Sequence, residues 1–316
     1  MKGKIYRFRR SSRYPQLLYL VLVMICCFPF ISASVALVLG LLFSLFIGTP
    51  FKGLVNRWNG YLLKASVIGF GFGINIHVLL HAGRENIGIT GGFVFGALVV
   101  GLALGIFLKI DKITALLISV GTAICGGSAI AAVGSTVKAD ADQLSIANGT
   151  VFLLNIIGLF IFPTLGHLLG LSQEQFGHWA AIAIHDTSSV VGASLKYGDE
   201  ALKVATISKM LRILWIIPVL VLLVIASFKN KRTLKFPMFI MGFILASYLF
   251  SFFPAWEGVF NDLYILAKQL MVVSLFLIGS TVSVGVIKRI GMRVLIQAVV
   301  LWVLVTAISL LVIVFT

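Results

Sequence analysis

The chain has 316 residues, 60% hydrophobic and 11% charged, with a net charge of +15. A soluble domain would be nearer half apolar and a quarter charged. Mean hydropathy of +1.10 and apolar runs of about twenty residues exclude one, and mark a polytopic helical membrane protein with no room for a sizeable soluble domain.

The chain divides into a basic N-terminal segment, 1–16, and a transmembrane domain, 17–316. The first apolar run leads at once into another with no small-residue cleavage site between them, so it reads as a span and not as a cleaved signal. Eleven spans are predicted, at roughly 17–31, 34–48, 61–80, 87–108, 113–137, 143–169, 176–196, 200–227, 236–253, 263–285 and 292–315. The first two form either a tight helical hairpin at Ser32-Ala33-Ser34 or one long bent segment.

Basic residues fall in the short segments between spans, which reads as topology and not as nucleic-acid binding. With the N-terminus in the cytoplasm, eighteen lie inside, including Arg57, Lys109, Lys112, Lys229, Lys288 and Arg289. Only Arg84, Lys138, Lys196, Lys203 and Lys268 lie outside, which puts the C-terminus outside. The expected location is a membrane, crossed many times. Cys26, Cys27 and Cys125 have no disulfide or metal spacing, and neither cofactor nor metal is expected.

Spans five and seven have polar, glycine-containing centres. The fifth reads Gly121-Thr122-Ala123-Ile124-Cys125-Gly126-Gly127-Ser128-Ala129; the seventh reads Ile184-His185-Asp186-Thr187-Ser188-Ser189. Glycine weakens a helix by about 1 kcal/mol relative to alanine. In a membrane such a centre either permits close helix packing or breaks the helix where freed backbone groups line a cavity. The two motifs sit in similar frames, each followed by a turn with acids (Asp140 and Asp142; Asp199 and Glu200). Two spans apart, they would run in the same direction. A second pair, Gly73-Ile74-Asn75-Ile76 and Gly279-Ser280-Thr281-Val282, would be antiparallel. The two hints do not give one repeat scheme.

Asp186 is the one acid inside a predicted span. An ionisable group at bilayer depth costs at least ~3 kcal/mol and needs a partner or a task. It is either ionised and paired with Lys209 or Arg212, or a titrating proton carrier. Neighbouring His185 reaches the same cavity only if the helix unwinds. Lys209 and Arg212 share one face of span eight near mid-bilayer. One acid cannot balance both. The remaining charge requires either a substrate anion or main-chain carbonyls. Thr187, Ser188, Ser189, Ser128 and Asn148 add neutral donors.

The run Cys125-Gly126-Gly127-Ser128-Ala129-Ile130, then Lys138-Ala139-Asp140, His185-Asp186 with Val190-Val191 and Ala193, and Lys209 with Arg212, resembles the YeiH family of bacterial inner-membrane proteins, described as sulfate exporters. The likeness covers nearly all the chain beyond the basic N-terminus. More distantly, that family is similar to the sodium–proton antiporter and bile-acid symporter fold group. The resemblance implies panel and core domains, crossing unwound helices and inverted repeats. It places Cys125, Gly126, Gly127, Ser128, His185 and Asp186 near the site. Asp186 stands where a longer Glu is common in that family.

The expected function is a secondary transporter of a small anion (sulfate, an organic sulfonate or a carboxylate) by alternating access, coupled to protons or another ion. Its substrate-binding set is Cys125, Gly126, Gly127, Ser128, His185, Asp186, Thr187, Ser188, Lys209 and Arg212. Two alternatives stand beside it. One is a cation- or proton-coupled carrier of an organic solute, with the basic pair structural; the other is a channel-like or structural subunit. An enzyme is not expected, because carboxylate hydrolysis would want a second buried acid. Expected partners are the anion, the lipid bilayer and a second copy in a homodimer.

Overall fold

The computed structural model describes residues 14–226, 238–281 and 289–315. Most of the basic N-terminal segment, the basic run Lys229 to Lys235 and Lys288 lie outside the described residues.

Helices pack in two groups. The panel contains α1 (Tyr14–Cys26), α2 (Ala33–Phe46), α3 (Lys52–Phe70), α12 (Phe239–Phe252) and α13 (Glu257–Thr281). The core contains α4 (Ile76–Phe107), α5 (Lys112–Ala123), α6 (Gly127–Val137), α7 (Ala141–Leu168), α8 (Gln173–Ala183), α9 (Thr187–Tyr197), α10 (Asp199–Leu214), α11 (Ile216–Ala226) and α14 (Met292–Phe315). Spans one and two are therefore separate helices, with Ser32 capping α2. Small residues set the closest approaches in the panel. A Cβ on Gly40 would collide with the Phe276 main chain, and one on Gly279 with that of Leu37. This is the packing that apolar helices use in lipid, where van der Waals fit replaces the hydrophobic drive.

The boundary between predicted spans three and four moves. The helix ends at the 3-10 turn Gly71–Gly73, and the chain bends by 106° into α4. Polar side chains satisfy the backbone freed there: Ser247 Oγ donates to Ile74 O at 2.6 Å, and Ile76 N donates to Ser251 Oγ at 2.7 Å. Asn75 caps the new helix through His77 N. The charged cluster at 81–85, which reads as a loop in the sequence, lies inside α4, where His81 and Glu85 pair one turn apart at 3.2 Å. α4 has 32 residues and is about 48 Å long, so it exceeds the ~30 Å hydrocarbon layer and must tilt or protrude.

Spans five and seven are interrupted, as their composition implies, but neither crosses. Each folds back on itself. A Cβ on Gly121 would sit 2.8 Å from Ile130 Cδ1, and one on Gly134 3.5 Å from Leu117 Cδ2. In a continuous helix those pairs would be about 14 and 26 Å apart. α5 and α6 are thus the arms of a re-entrant hairpin with its tip at Ile124-Cys125-Gly126. α8 and α9 form the second, with its tip at Ile184-His185-Asp186. Phe176 and Tyr197 stack across it with centroids 3.8 Å apart, and Tyr197 Oη donates to Leu171 O at 2.6 Å. Each arm has 11 or 12 residues, about 16–18 Å, or half the apolar layer.

The hairpins enter from opposite faces. Gln143 Nε2 reaches Asp111 Oδ2 at 2.9 Å, and Arg289 lies 3.6 Å from Asp142. Both ends of the first hairpin therefore lie on the face that carries Lys109, Lys112 and Arg289, the basic face. Lys138, expected on the other side, joins them. The Thr114 backbone amide, with the Thr114 hydroxyl and Gln143, holds the Asp111 carboxyl below its ordinary range. The second hairpin has its ends on the opposite face, where Gln173 Oε1 accepts from Glu200 N at 3.1 Å.

This settles the repeat. The motifs at 124–128 and 184–188 are equivalent tips of an inverted pair, α5–α6–α7 and α8–α9–α10. They do not run in parallel, because each hairpin returns to its own side. Of the second sequence hint, Gly73 closes the bend and Gly279 packs inside α13; Val282 lies outside the described residues.

Cysteines placed at Lys112 and Ala141, in a chain cleared of its native cysteines, should react with an impermeant maleimide from the same face of oriented vesicles. A crossing fifth span would put them on opposite faces.

Candidate functional site

The two tips touch. Gly126 has φ 64°, ψ −128°, a conformation open to glycine and strained for other residues. A Cβ there would lie 3.3 Å from Asp186 Cβ. The contact allows no extra atom, and this explains why the first tip carries paired glycines.

Arg212 holds the tips together and is completely buried. Its Nε donates to Ala123 O at 2.5 Å and Nη2 to Thr122 O at 2.9 Å. Its Nη1 donates to Ala181 O at 3.1 Å and to Ile182 O. One guanidinium thus binds the C-terminal ends of both α5 and α8, where the helix dipole places partial negative charge. Lys209, also buried, donates to Ala181 O at 3.2 Å and Ile184 O at 2.8 Å. Trp302 Nε1 takes Ala183 O at 2.9 Å. The sequence expectation set Lys209 and Arg212 against the substrate; in this geometry they meet main-chain carbonyls. Their charge is directed at main-chain oxygens, and neither lines the cavity described below.

The N-terminal halves are held differently. Asp186 caps α9: Ser188 N and Ser188 Oγ both donate to its Oδ2. Asn155 on α7 supports the same tip, its Oδ1 accepting from His185 N at 3.1 Å and Asp186 N at 3.2 Å. No side chain caps α6. Its first amides are left without helical partners, as at any helix start.

A cavity of about 380 Å³ opens beside the tips, between panel and core. Gly127 and Asp186 form its deep end; Asn148, Asn155 and Ser145 of α7 line one wall, and Asn59 of α3 with Thr281 of α13 the other. Ser145, Asn59 and Thr281 belong to the basic-face ends of their helices, so the cavity runs from mid-depth toward that face. On the opposite side the panel is closed against the core. Lys268 of α13 pairs with Asp199 of α10 at 2.5 Å, and a Cβ on Gly192 of α9 would meet Leu275 at 3.0 Å.

Of the residues singled out in the sequence, Gly127, Asn148 and Asp186 reach the cavity. Cys125, Gly126, Thr187 and Ser188 pack behind the tips. Ser128 is exposed on the first turn of α6, its Oγ 2.8 Å from Cys125 Sγ. His185 turns away from the cavity: it is buried 6.4 Å from the Trp302 ring centroid, and neither ring nitrogen has a partner among the described residues. Sequence reasoning missed Asn59, Ser145, Asn155 and Thr281. Asn155 was within reach, because Asn148 and Asn155 are seven residues apart and share a face of an otherwise apolar helix.

Paired re-entrant hairpins within a bundle of apolar helices define a polytopic helical membrane protein with a cavity beside the hairpin tips. The family model described as "Conserved hypothetical protein 698" matches residues 19–298. A UPF0324 membrane protein of Bdellovibrio bacteriovorus is 41% identical over 306 residues, covering 95% of this chain and 94% of that one. One of Vibrio parahaemolyticus is 46% identical, covering 91% and 94%, and one of Bacteroides thetaiotaomicron 46%, covering 87% and 84%. The chain belongs to this UPF0324 family, which is the YeiH-type family that its motifs resemble. No solved structure gives a significant match.

Arg212→Ala should strand the carbonyls of Thr122, Ala123 and Ile182, leaving that of Ala181 to Lys209, each stranded group costing about 1–3 kcal/mol when unpaired. The expected result is a large fall in the melting midpoint of the detergent-solubilised protein, with Arg212→Lys only partly restoring it. Gly126→Ala should cost about 1–3 kcal/mol from backbone strain and part the tips, read as faster modification of Cys125.

Proposed function

We propose that this protein is a secondary transporter that moves a small anion across the inner membrane by alternating access, coupled to protons. The observation that supports this reading most directly is a cavity that brings polar groups to the touching tips from the basic face, while panel and core are in contact on the other. Mobile half-helices at mid-depth, with a site reached from one side at a time, are what a carrier requires.

The sign of the cargo follows from charge. With both basic groups protonated, and each half-helix end counted as about half a charge, the tips carry an excess of about one positive charge. The free N-terminus of α6 opens toward the cavity at Gly127, and backbone amides at a helix start bind anions. Asn148 and Asn155 add neutral donors. Lys209 and Arg212 set the background potential and brace the tips without touching the cargo. Asp186 shares the cavity, so its carboxylate and an anion repel. Anion binding and protonation of Asp186 therefore favour one another, which is a coupling free energy between two ligands.

The main-chain bonding of Lys209 and Arg212 equally suits a second reading, a cation- or proton-coupled carrier of an organic solute. A thermal-shift panel separates the two. Under the anion reading a multivalent oxyanion raises the melting midpoint, Asn148→Ala weakens that effect about ten-fold, and an acid-inside gradient alters oxyanion flux in proteoliposomes. Stabilisation by cations or neutral solutes alone, or conductance far above carrier rates, would overturn it.

A further inference from the structure

The cavity contains two unlike partners for an anion. One is a donor whose orientation is fixed. Asn155 is only 2% exposed, and its Oδ1 accepts from two successive backbone amides, those of His185 and Asp186. Only an oxygen can accept from them, so the amide flip is decided by chemistry. Its Nδ2 is left without a protein partner among the described residues and borders the cavity. The other partner is an acceptor. Asp186 commits Oδ2 to Ser188 and, among the described residues, has no protein donor on Oδ1.

A fully deprotonated oxyanion satisfies Asn155 and the α6 amides but has nothing to give Asp186. It would place two acceptors face to face in a confined space, where an unmade hydrogen bond and like charge both cost. An oxyanion that still carries a proton meets both partners: its bare oxygens take the amide donors, and its O–H donates to Asp186 Oδ1. Sites that bind through buried polar groups discriminate strongly against an analogue lacking the matching group.

We propose that Asp186 makes the cavity selective for oxyanions that bear an acidic or hydroxyl proton, over isosteric anions without one. This rests on the anion reading above. One shared proton lies between carboxylate and cargo, and a protonless anion must bring that proton by protonating Asp186. Among the described residues, the charged and titratable groups around this carboxylate are Lys209 and Arg212 of α10, Cys125 of the facing tip and the adjoining His185, and the panel wall contributes Asn59, Leu63, Ile278 and Thr281.

Sulfate and monohydrogen phosphate form the matched pair: both are tetrahedral dianions, and they differ by one O–H. Isothermal titration of the full-length protein in detergent, at mildly alkaline pH, should give phosphate an affinity at least about ten-fold above sulfate. Lowering the pH should strengthen sulfate binding. Asp186→Asn retains the helix cap and can donate to sulfate, so it should close or reverse the ten-fold gap and remove the pH dependence of sulfate binding. Should that variant fail to fold, the wild-type ratio and its pH trend carry the test. Sulfate bound as tightly as phosphate by the wild type, with no pH trend, overturns the selectivity and leaves the anion reading intact. Binding of neither anion overturns both.

Discussion

The guanidinium of Arg212 is the interaction on which the structure turns. Two half-helices end near mid-depth, entering from opposite faces, and each presents carbonyls that lipid cannot satisfy. Arg212 takes four of them, two from each tip. A fixed planar fork with several donors suits this task better than an ammonium. Lys209 and Trp302 extend the same device to Ile184 and Ala183. Without these donors the re-entrant geometry would have no favourable alternative to two continuous spans.

Because the C-terminal ends are consumed in this way, the N-terminal ends are what remains for chemistry. One is capped by Asp186 and propped from behind by Asn155; the other is left open at Gly127. The asymmetry between equivalent tips is written in five residues, Ile-Cys-Gly-Gly-Ser against Ile-His-Asp-Thr-Ser. The first tip supplies bare amides and room; the second supplies a carboxylate. The cavity lies where these two halves of a binding function meet.

Much of this was legible in the sequence. Hydropathy and the position of the charges marked the membrane class, and the polar centres of spans five and seven marked the interruptions. A lone acid and two cations in apolar surroundings marked the residues that matter most. Whether a helix broken at Gly126 continues or turns back was not legible, because 26 residues with a weak centre suit one span or two half-spans equally well. The deciding contacts, Gly121 on Ile130 and Phe176 on Tyr197, are tertiary. The role of Lys209 and Arg212 was open for the same reason: a buried cation shows that something negative is near, and only coordinates distinguish a carbonyl from a cargo. Asn155 was missed because an amide in an apolar helix, even one sharing a face with Asn148, looks like helix–helix packing until its oxygen is seen between two backbone amides.

The one-sided cavity has an electrical consequence. Water entering the cavity would bring the conducting phase of one compartment to the tips, in the middle of the insulating layer. A transmembrane voltage then falls mainly across the sealed half, between Asp186 and the face where Lys268 meets Asp199. A charge crossing that half traverses nearly the full potential, about 2.3 kcal/mol for each elementary charge at 100 mV. Under the carrier reading proposed above, cell voltage would therefore bear on the step that carries cargo past the tips far more than on entry from the basic face.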